Sequence, residues 1–525
     1  MNTFANIGPA LSRRKFLGAT ALGFGGLALT ACSTNTSTSM STAASGVDES
    51  AILAAEAKRP HTGRTVAAEL TAQRTDIDLG GKTVRTLAYG DSVPAPAIRA
   101  NIGDELAVTV HNRMSDTTSL HWHGIALRND MDGAAPATPD IAAGESFTYK
   151  FSVPHSGTYW AHPHVGMQTD YGLYVPVIVD DPNEPLDYDA EWVVTLDDWI
   201  DGMGGDPEQI LDDLRAGGMG EMGDDSMPGM DMPGMDMPGM GAVEHSDEEG
   251  SGKGSSELLG GDPGDVIYPT YLINGRMPSA PTSFDAKPGQ RVRIRFINAG
   301  ADTAFRVALG GHRMTVTHTD GFPVVPTEVD AVLIGMAERY DVIVTVGDGV
   351  FPLVASAEGK NAQAFALLRS GPGSAPGPDV RPRELDGRVG TVDMFTATGE
   401  VMLPQGPPDV DLSAELGGDM MSYRWTINGR TYDQTEPLTV KEGQRARLTF
   451  TNKTMMWHPM HLHGHTFQVV NPDGTPGARK DTVNVLPMQS VAVDLVADNP
   501  GDWMLHCHNG YHLEAGMMTR LDYRS

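Results

Sequence analysis

Cysteine is nearly absent from this chain: two residues in 525, at positions 32 and 507. Basic residues are scarce too, with 38 Lys and Arg against 68 Asp and Glu and a net charge of −30. That balance argues against nucleic acid and anionic lipid headgroups as partners, because both would be repelled, and it favours the approach of cations. Aromatics make up 6% of the chain and charged residues 20%, while 61 Gly and 36 Pro interrupt it often. Short strands joined by turns suit this composition better than long helices. At ~100–200 residues per domain the length suggests about three domains. Past the first 32 residues no stretch is long and apolar enough for a bilayer span, which takes ~20 residues.

The first 32 residues read as a targeting segment rather than as part of the fold. Arg13 and Arg14 head a weakly apolar run over 16–31 that Gly18, Gly23, Gly25 and Gly26 interrupt. Twin arginines before such a run predict export by the Tat route. The run ends Leu29-Thr30-Ala31-Cys32, the pattern of a bacterial lipobox, so Cys32 is the expected lipid anchor. A protein held in this way sits on the extracytoplasmic face of the membrane, in a periplasm or cell wall. With Cys32 committed to lipid, Cys507 has no partner for a disulfide.

An internal repeat divides the rest of the chain. Gly103 to Asn112, Gly289 to Asn298 and Gly443 to Asn452 each open on a turn glycine, continue as an alternating strand and end on asparagine. The second and third copies are preceded by Ile-Asn-Gly-Arg at 273–276 and 427–430. Copies so far apart are related domains rather than solenoid turns. The expected organisation is all-β, with the signal at 1–32, a flexible tether over 33–57, and β-domains over 58–182, 183–384 and 385–525. The second domain carries an insertion over 200–263, with a short helix expected near 207–215. The insertion then becomes methionine-rich: eight Met fall between 219 and 240, in Met-Pro-Gly-Met repeats. Gly, Pro and Asp keep that tract out of a core, and thioethers favour soft Cu(I).

Four His-x-His pairs carry the chemistry: His121/His123, His162/His164, His461/His463 and His506/His508. In a strand, residues i and i+2 share a face, so each pair presents two imidazoles together. Two pairs fall in the first domain and two in the third, while the middle domain has only the isolated His245, His312 and His318. Eight converging imidazoles are too many for one tetrahedral zinc and suit a small cluster of copper ions. The same alternation turns Cys507 away from His506 and His508. There it meets His458 and His512, with Met517 as a weak axial thioether, which is the donor set of a blue-copper electron-transfer site.

These motifs resemble those of three-domain multicopper oxidases of the laccase and cuprous-oxidase family. The pattern is HxHG at 121–124, HxH at 162–164, HxxHxHG at 458–464 and HCHxxxHxxxxM at 506–517. The resemblance implies three cupredoxin-like Greek-key β-sandwiches and four copper ions. It implies type 1 copper on His458, Cys507, His512 and Met517, and type 2 copper on His121 and His461. A type 3 pair would sit on His123, His162, His164, His463, His506 and His508. The implied reaction couples four one-electron oxidations at type 1 to reduction of O2 to water at the other three ions. Asp132 matches an acid that the family carries near type 2 as a proton relay. Some cuprous oxidases place a second acid directly after the last type 1 histidine. Leu513 stands there, and Glu514 follows it as the candidate.

The signal, lipobox and methionine-rich insertion resemble those of bacterial copper-tolerance oxidases, notably lipid-anchored ones of actinobacteria. This implies Cu(I) as reductant, with Fe(II) and phenols as alternatives and a non-catalytic copper-binding protein as the reading of another class. Copper-oxidising relatives place a docking methionine two residues before the first type 1 histidine, and Met456 fits. The acid that accompanies it there is replaced by Thr454.

Overall fold

The computed structural model describes residues 49–217 and 254–524. The export signal, Cys32, the tether over 33–48 and the methionine tract at 219–240 lie outside the described residues. Strands pair into six sheets, two for each of three successive sandwiches. In the first, a sheet built on Thr65–Asp78 and Glu105–Asn112 faces one holding Gly157–His162 and His121–His123. The second contains two six-stranded sheets and the third a six- and a five-stranded sheet. No helix among the described residues is long and apolar enough to cross a membrane.

The repeated segments occupy one place in all three sandwiches. Glu105–Asn112, Arg291–Asn298 and Arg445–Asn452 each run parallel to the strand that opens their unit and antiparallel to a second neighbour. Their terminal asparagines have a common task. The Oδ1 atoms of Asn112, Asn298 and Asn452 accept the backbone N–H two residues on, at 2.9, 3.0 and 2.9 Å. Each Nδ2 donates to two or three nearby backbone carbonyl oxygens. One buried amide thus closes the turn at the end of the strand. In the first and third units that turn leads into a histidine strand.

Two readings of the sequence change here. Residues 49–57, expected in the tether, form the helix Glu49–Ala57. Its Glu56 accepts the Ser152 N–H at 2.8 Å and pairs with Arg59, whose guanidinium reaches Ala126 and Asn499. Ion pairing and buried Ile52 and Ala55 hold what composition alone suggested was loose. The middle sandwich also extends past 385, because Val389–Gly390 pairs in parallel with Ala331–Ile334. The helix expected near 207–215 is present as Pro207–Gly217.

The polar side of the middle repeat is not exposed as alternation implies. Arg293 and Arg295 are buried, because that face packs against the first sandwich. Asp341 binds both guanidinium groups, at 2.6 and 3.0 Å, and Thr158 of the first unit accepts from Arg295 at 3.0 Å. Against the third unit, buried Lys480 reaches Asp320 and Glu338 of the middle one at 3.1 and 3.0 Å. Buried charges require such partners.

Candidate metal centres

The four histidine pairs meet where the first and third sandwiches face each other. His121 and His162 are cross-strand partners in the first, as are His461 and His506 in the third. Across the interface His121 Nε2 lies 3.5 Å from His461 Nε2, and His162 Nε2 lies 3.3 Å from His508 Nε2. Within the third unit His463 and His506 approach at 3.0 Å between Nε2 atoms.

Oxygen acceptors outside the cluster set the direction of most rings. The Nδ1 atoms of His121, His162, His461 and His506 donate to the carbonyl oxygens of Asp132, Pro163, Asp481 and Cys507, at 2.9 to 3.0 Å. His463 Nδ1 donates to Asp132 Oδ2 at 2.9 Å. His123 is reversed: its Nε2 donates to Asp481 Oδ1 at 3.1 Å and leaves Nδ1 inward. With one nitrogen protonated on each ring, the other carries a lone pair, and these lone pairs converge. His123 Nδ1 and His164 Nε2 are buried and make no hydrogen bond. Burial and the neighbouring imidazoles hold His123, His162, His164, His463, His506 and His508 well below the ordinary histidine pKa. Neutral rings with oriented lone pairs and oxygen acceptors behind them are what divalent and monovalent copper require. Four overlapping His triads have donor atoms within 4.8 Å of one another.

A second cluster backs onto the first. Strand Asp502–Cys507 turns His506 to one face and Cys507 to the other. Cys507 Sγ lies 3.7 Å from Nδ1 of both His458 and His512, and those two nitrogens are 3.1 Å apart. His458 Nε2 pairs with Thr454 Oγ1 at 2.8 Å, and His512 Nε2 donates to Asp265 Oδ2 at 3.0 Å. Both rings therefore point Nδ1 at the sulfur. Asn509 caps the short helix Gly510–Glu514, accepting from the Tyr511 and His512 N–H groups, and so folds His512 back toward Cys507. Asp302 of the middle sandwich receives Asn509 Nδ2 at 2.7 Å and the Asp265 and Val266 N–H groups. Trp425 lies against His512 at 4.2 Å between ring centroids and shields the site from water. Met517 is buried beside this group, its carbonyl accepting the Cys507 N–H at 3.1 Å.

The other sequence candidates divide. Asp132 is buried between His121 and His463, as its position after the first motif suggests. Glu514 lines a cavity of about 40 Å³ that ends on His162, His164 and His508. Met456 does not present itself for docking: it is 1% exposed and packs in the core, whereas Met455 is 65% exposed. The turn explains the exchange, since Asn452 and Thr454 both bind the Met456 carbonyl and hold its side chain inward. Asp265, Asp481 and Thr482, each within hydrogen-bonding reach of a histidine, were not legible in the sequence. Asp265 lies on a loop far from the motif it serves; Asp481 and Thr482 follow the third motif by fewer than twenty positions, at the start of strand Thr482–Val485.

Comparison with known proteins agrees with this geometry. Sequence models of the multicopper oxidase family match residues 71–184, 247–372 and 405–525. The chain is 59% identical over 526 residues to multicopper oxidase MmcO of Mycobacterium tuberculosis, with all of both chains covered. It therefore belongs to the multicopper oxidases, oxidoreductases built from cupredoxin sandwiches. It is 28% identical to a copper resistance protein A homolog of Pseudomonas syringae pv. tomato, over 86% of this chain and 91% of that one. Among solved structures it is similar to the laccase of Botrytis aclada, with a TM-score of 0.68, 26% identity and 87% of each chain covered.

Burial alone would lower the pKa of His512, but hydrogen bonds to Asp265 and Cys507 outweigh it and raise the value to about 10. The folded chain thus holds this proton more tightly than the unfolded chain, where the value is near 6.5. The stabilisation is complete below about pH 6.5 and is lost as pH rises through about 10. Metal-free protein should therefore show a urea midpoint that falls between about pH 7 and 10, and Asp265→Asn should flatten that fall. Equal slopes in the two proteins would remove Asp265 as the cause.

Proposed function

We propose that this multicopper oxidase oxidises Cu(I) and passes the electrons to O2, which is reduced to water. The observation that carries the reading is the tripeptide His506-Cys507-His508. Its sulfur lies 3.7 Å from two imidazole nitrogens on one face, and its flanking histidines join the cluster on the other. In this reading His458, Cys507, His512 and Met517 would hold type 1 copper. His121 and His461 hold type 2, and His123, His162, His164, His463, His506 and His508 hold the type 3 pair. Bound copper would supply the one-electron couple at the first site and O2 reduction at the other three ions.

The protein's own groups do the rest. Trp425 excludes water, Thr454 and Asp265 orient the two type 1 imidazoles, and Asp132 holds a proton acceptor against His463. Glu514 stands at the cavity, where burial and the nearby Glu208 raise its carboxyl to about 7. It therefore carries a transferable proton below that pH and loses it above.

Methionine favours Cu(I) over phenols. Met421, Met455 and Met488 are 75%, 65% and 63% exposed, a costly position for an apolar side chain unless the thioether has a use. The methionine tract enters after Pro207–Gly217, whose Arg215 donates to the Glu514 carbonyl at 2.5 Å. It leaves before Leu259, which packs with Trp457 next to His458. The described residues Arg215 and Leu259, before and after this segment of the chain, thus lie near Glu514 and Trp457. The copper-resistance names of relatives point the same way, and the laccase names keep phenol oxidation as the second reading.

O2 uptake by copper-loaded protein should be faster with Cu(I) than with a simple phenol, and should be absent in Cys507→Ser. Deleting 219–240 should reduce the Cu(I) rate more than the phenol rate, and equal loss would leave the tract structural. Glu514→Gln should keep type 1 absorbance, lower turnover by about 100-fold and abolish the decline in rate as pH rises through about 7. Retained turnover with the same pH profile would exclude Glu514 as a proton carrier. We further infer Tat export and lipid anchoring at Cys32, so Cys32→Ala should move the protein from the membrane to the soluble extracytoplasmic fraction. An unchanged distribution would rule out that anchor.

A further inference from the structure

The middle sandwich contributes no histidine pair, yet one of its side chains reaches the cluster through a carboxylate. Arg339, on strand Arg339–Thr345, is fully buried. Its Nη1 and Nη2 donate to Oδ1 and Oδ2 of Asp481 at 2.8 and 2.6 Å, the parallel fork that guanidinium makes with carboxylate. Nε donates to the Thr158 carbonyl at 3.1 Å, and Nη1 also donates to the Ala337 carbonyl at 3.1 Å. The first, second and third sandwiches thus each supply an acceptor to one guanidinium group. Asp481 in turn accepts from His123 Nε2 through Oδ1, at 3.1 Å, and from His461 Nδ1 through its carbonyl, at 2.9 Å. These two rings, one from each outer sandwich, stack at 3.7 Å.

Gly124 completes the junction. A Cβ there would lie 2.3 Å from Arg339 Nη2 and 2.5 Å from Asp481 Oδ2. The space after the first histidine pair is filled by the ion pair, which accounts for glycine at that point of the motif.

We propose that Arg339 is a positioning residue through which the middle sandwich sets the geometry of the copper cluster, an inference that rests on the cluster reading above. The fork fixes the Asp481 carboxylate, and the fixed Oδ1 keeps His123 turned with Nδ1 inward. Without the fork, a buried carboxylate is left without its cation and must move or take a proton, and His123 and His461 lose their common reference.

The test uses the full copper-loaded chain with Arg339→Met and Arg339→Lys. Arg306→Met is the control, since Arg306 pairs with Glu358 in the same sandwich and touches no cluster histidine. Copper content, type 1 absorbance and the type 2 electron paramagnetic resonance signal are read together. Arg339→Met should keep type 1 absorbance, lose or shift the type 2 hyperfine splitting and lower O2 turnover by about 10–100-fold. Arg339→Lys should recover part of the type 2 signal, because it restores the charge without the fork. Arg306→Met should leave both signals as in the wild type. A wild-type type 2 spectrum in Arg339→Met at full copper content overturns the proposal, as does an equal change in Arg306→Met. Should Arg339→Met fail to fold, the Lys variant decides: type 1 retained with type 2 shifted supports the proposal, and an unaltered type 2 spectrum overturns it. A wild-type protein that shows no type 2 signal after loading would instead defeat the cluster reading itself.

Discussion

Imidazole nitrogens with lone pairs turned toward one another repel unless a cation lies between them. Here that arrangement is built at the seam of two sandwiches: His121 faces His461, His162 faces His508 and His463 faces His506. Everything around the seam serves to hold those rings in place. Carbonyl oxygens fix four of the tautomers, and two carboxylates, Asp132 and Asp481, bind further ring nitrogens from behind. The polar acceptors lie outside the cluster, so the inward face is left to metal.

The strand geometry then links the two candidate centres. Alternation across the Asp502–Cys507 strand places the sulfur among His458 and His512 while the neighbouring histidines stay in the seam. Adjacent residues of one chain segment serve the two candidate centres, and no loop motion can change that spacing. The asparagine-closed turns and the cap at Asn509 bring the remaining candidate ligands to the same strand from both sides.

The middle sandwich, though poor in histidine, is not a spacer. Its Asp302 orders the turn before His512 and the segment that carries Asp265, and its Arg339 grips Asp481. The buried Lys480–Asp320 pair binds it to the third unit, and the Asp341 carboxylate that holds Arg293 and Arg295 accepts from Thr158 of the first. Such pairs contribute little net stability against apolar substitutes, but they tolerate only one register between the domains. Register between domains is what a cluster shared by two of them demands.

Periodicity, repeat spacing and residue chemistry were enough to determine the all-β class, the three units and the histidines and cysteine that converge, because a strand fixes side-chain direction every second residue. Asp132 was legible for a different reason: it follows its motif closely in a matching pattern. The tertiary structure decided what sequence distance hides. It turned Met456 inward and Met455 outward, because the Asn452 turn binds the Met456 carbonyl. It buried Arg293 and Arg295 of the middle repeat, because another sandwich covers that face. It brought Asp265 and Asp481 to histidines hundreds of positions away, and Arg339 to Asp481, since contacts between domains leave no periodic trace in any one segment.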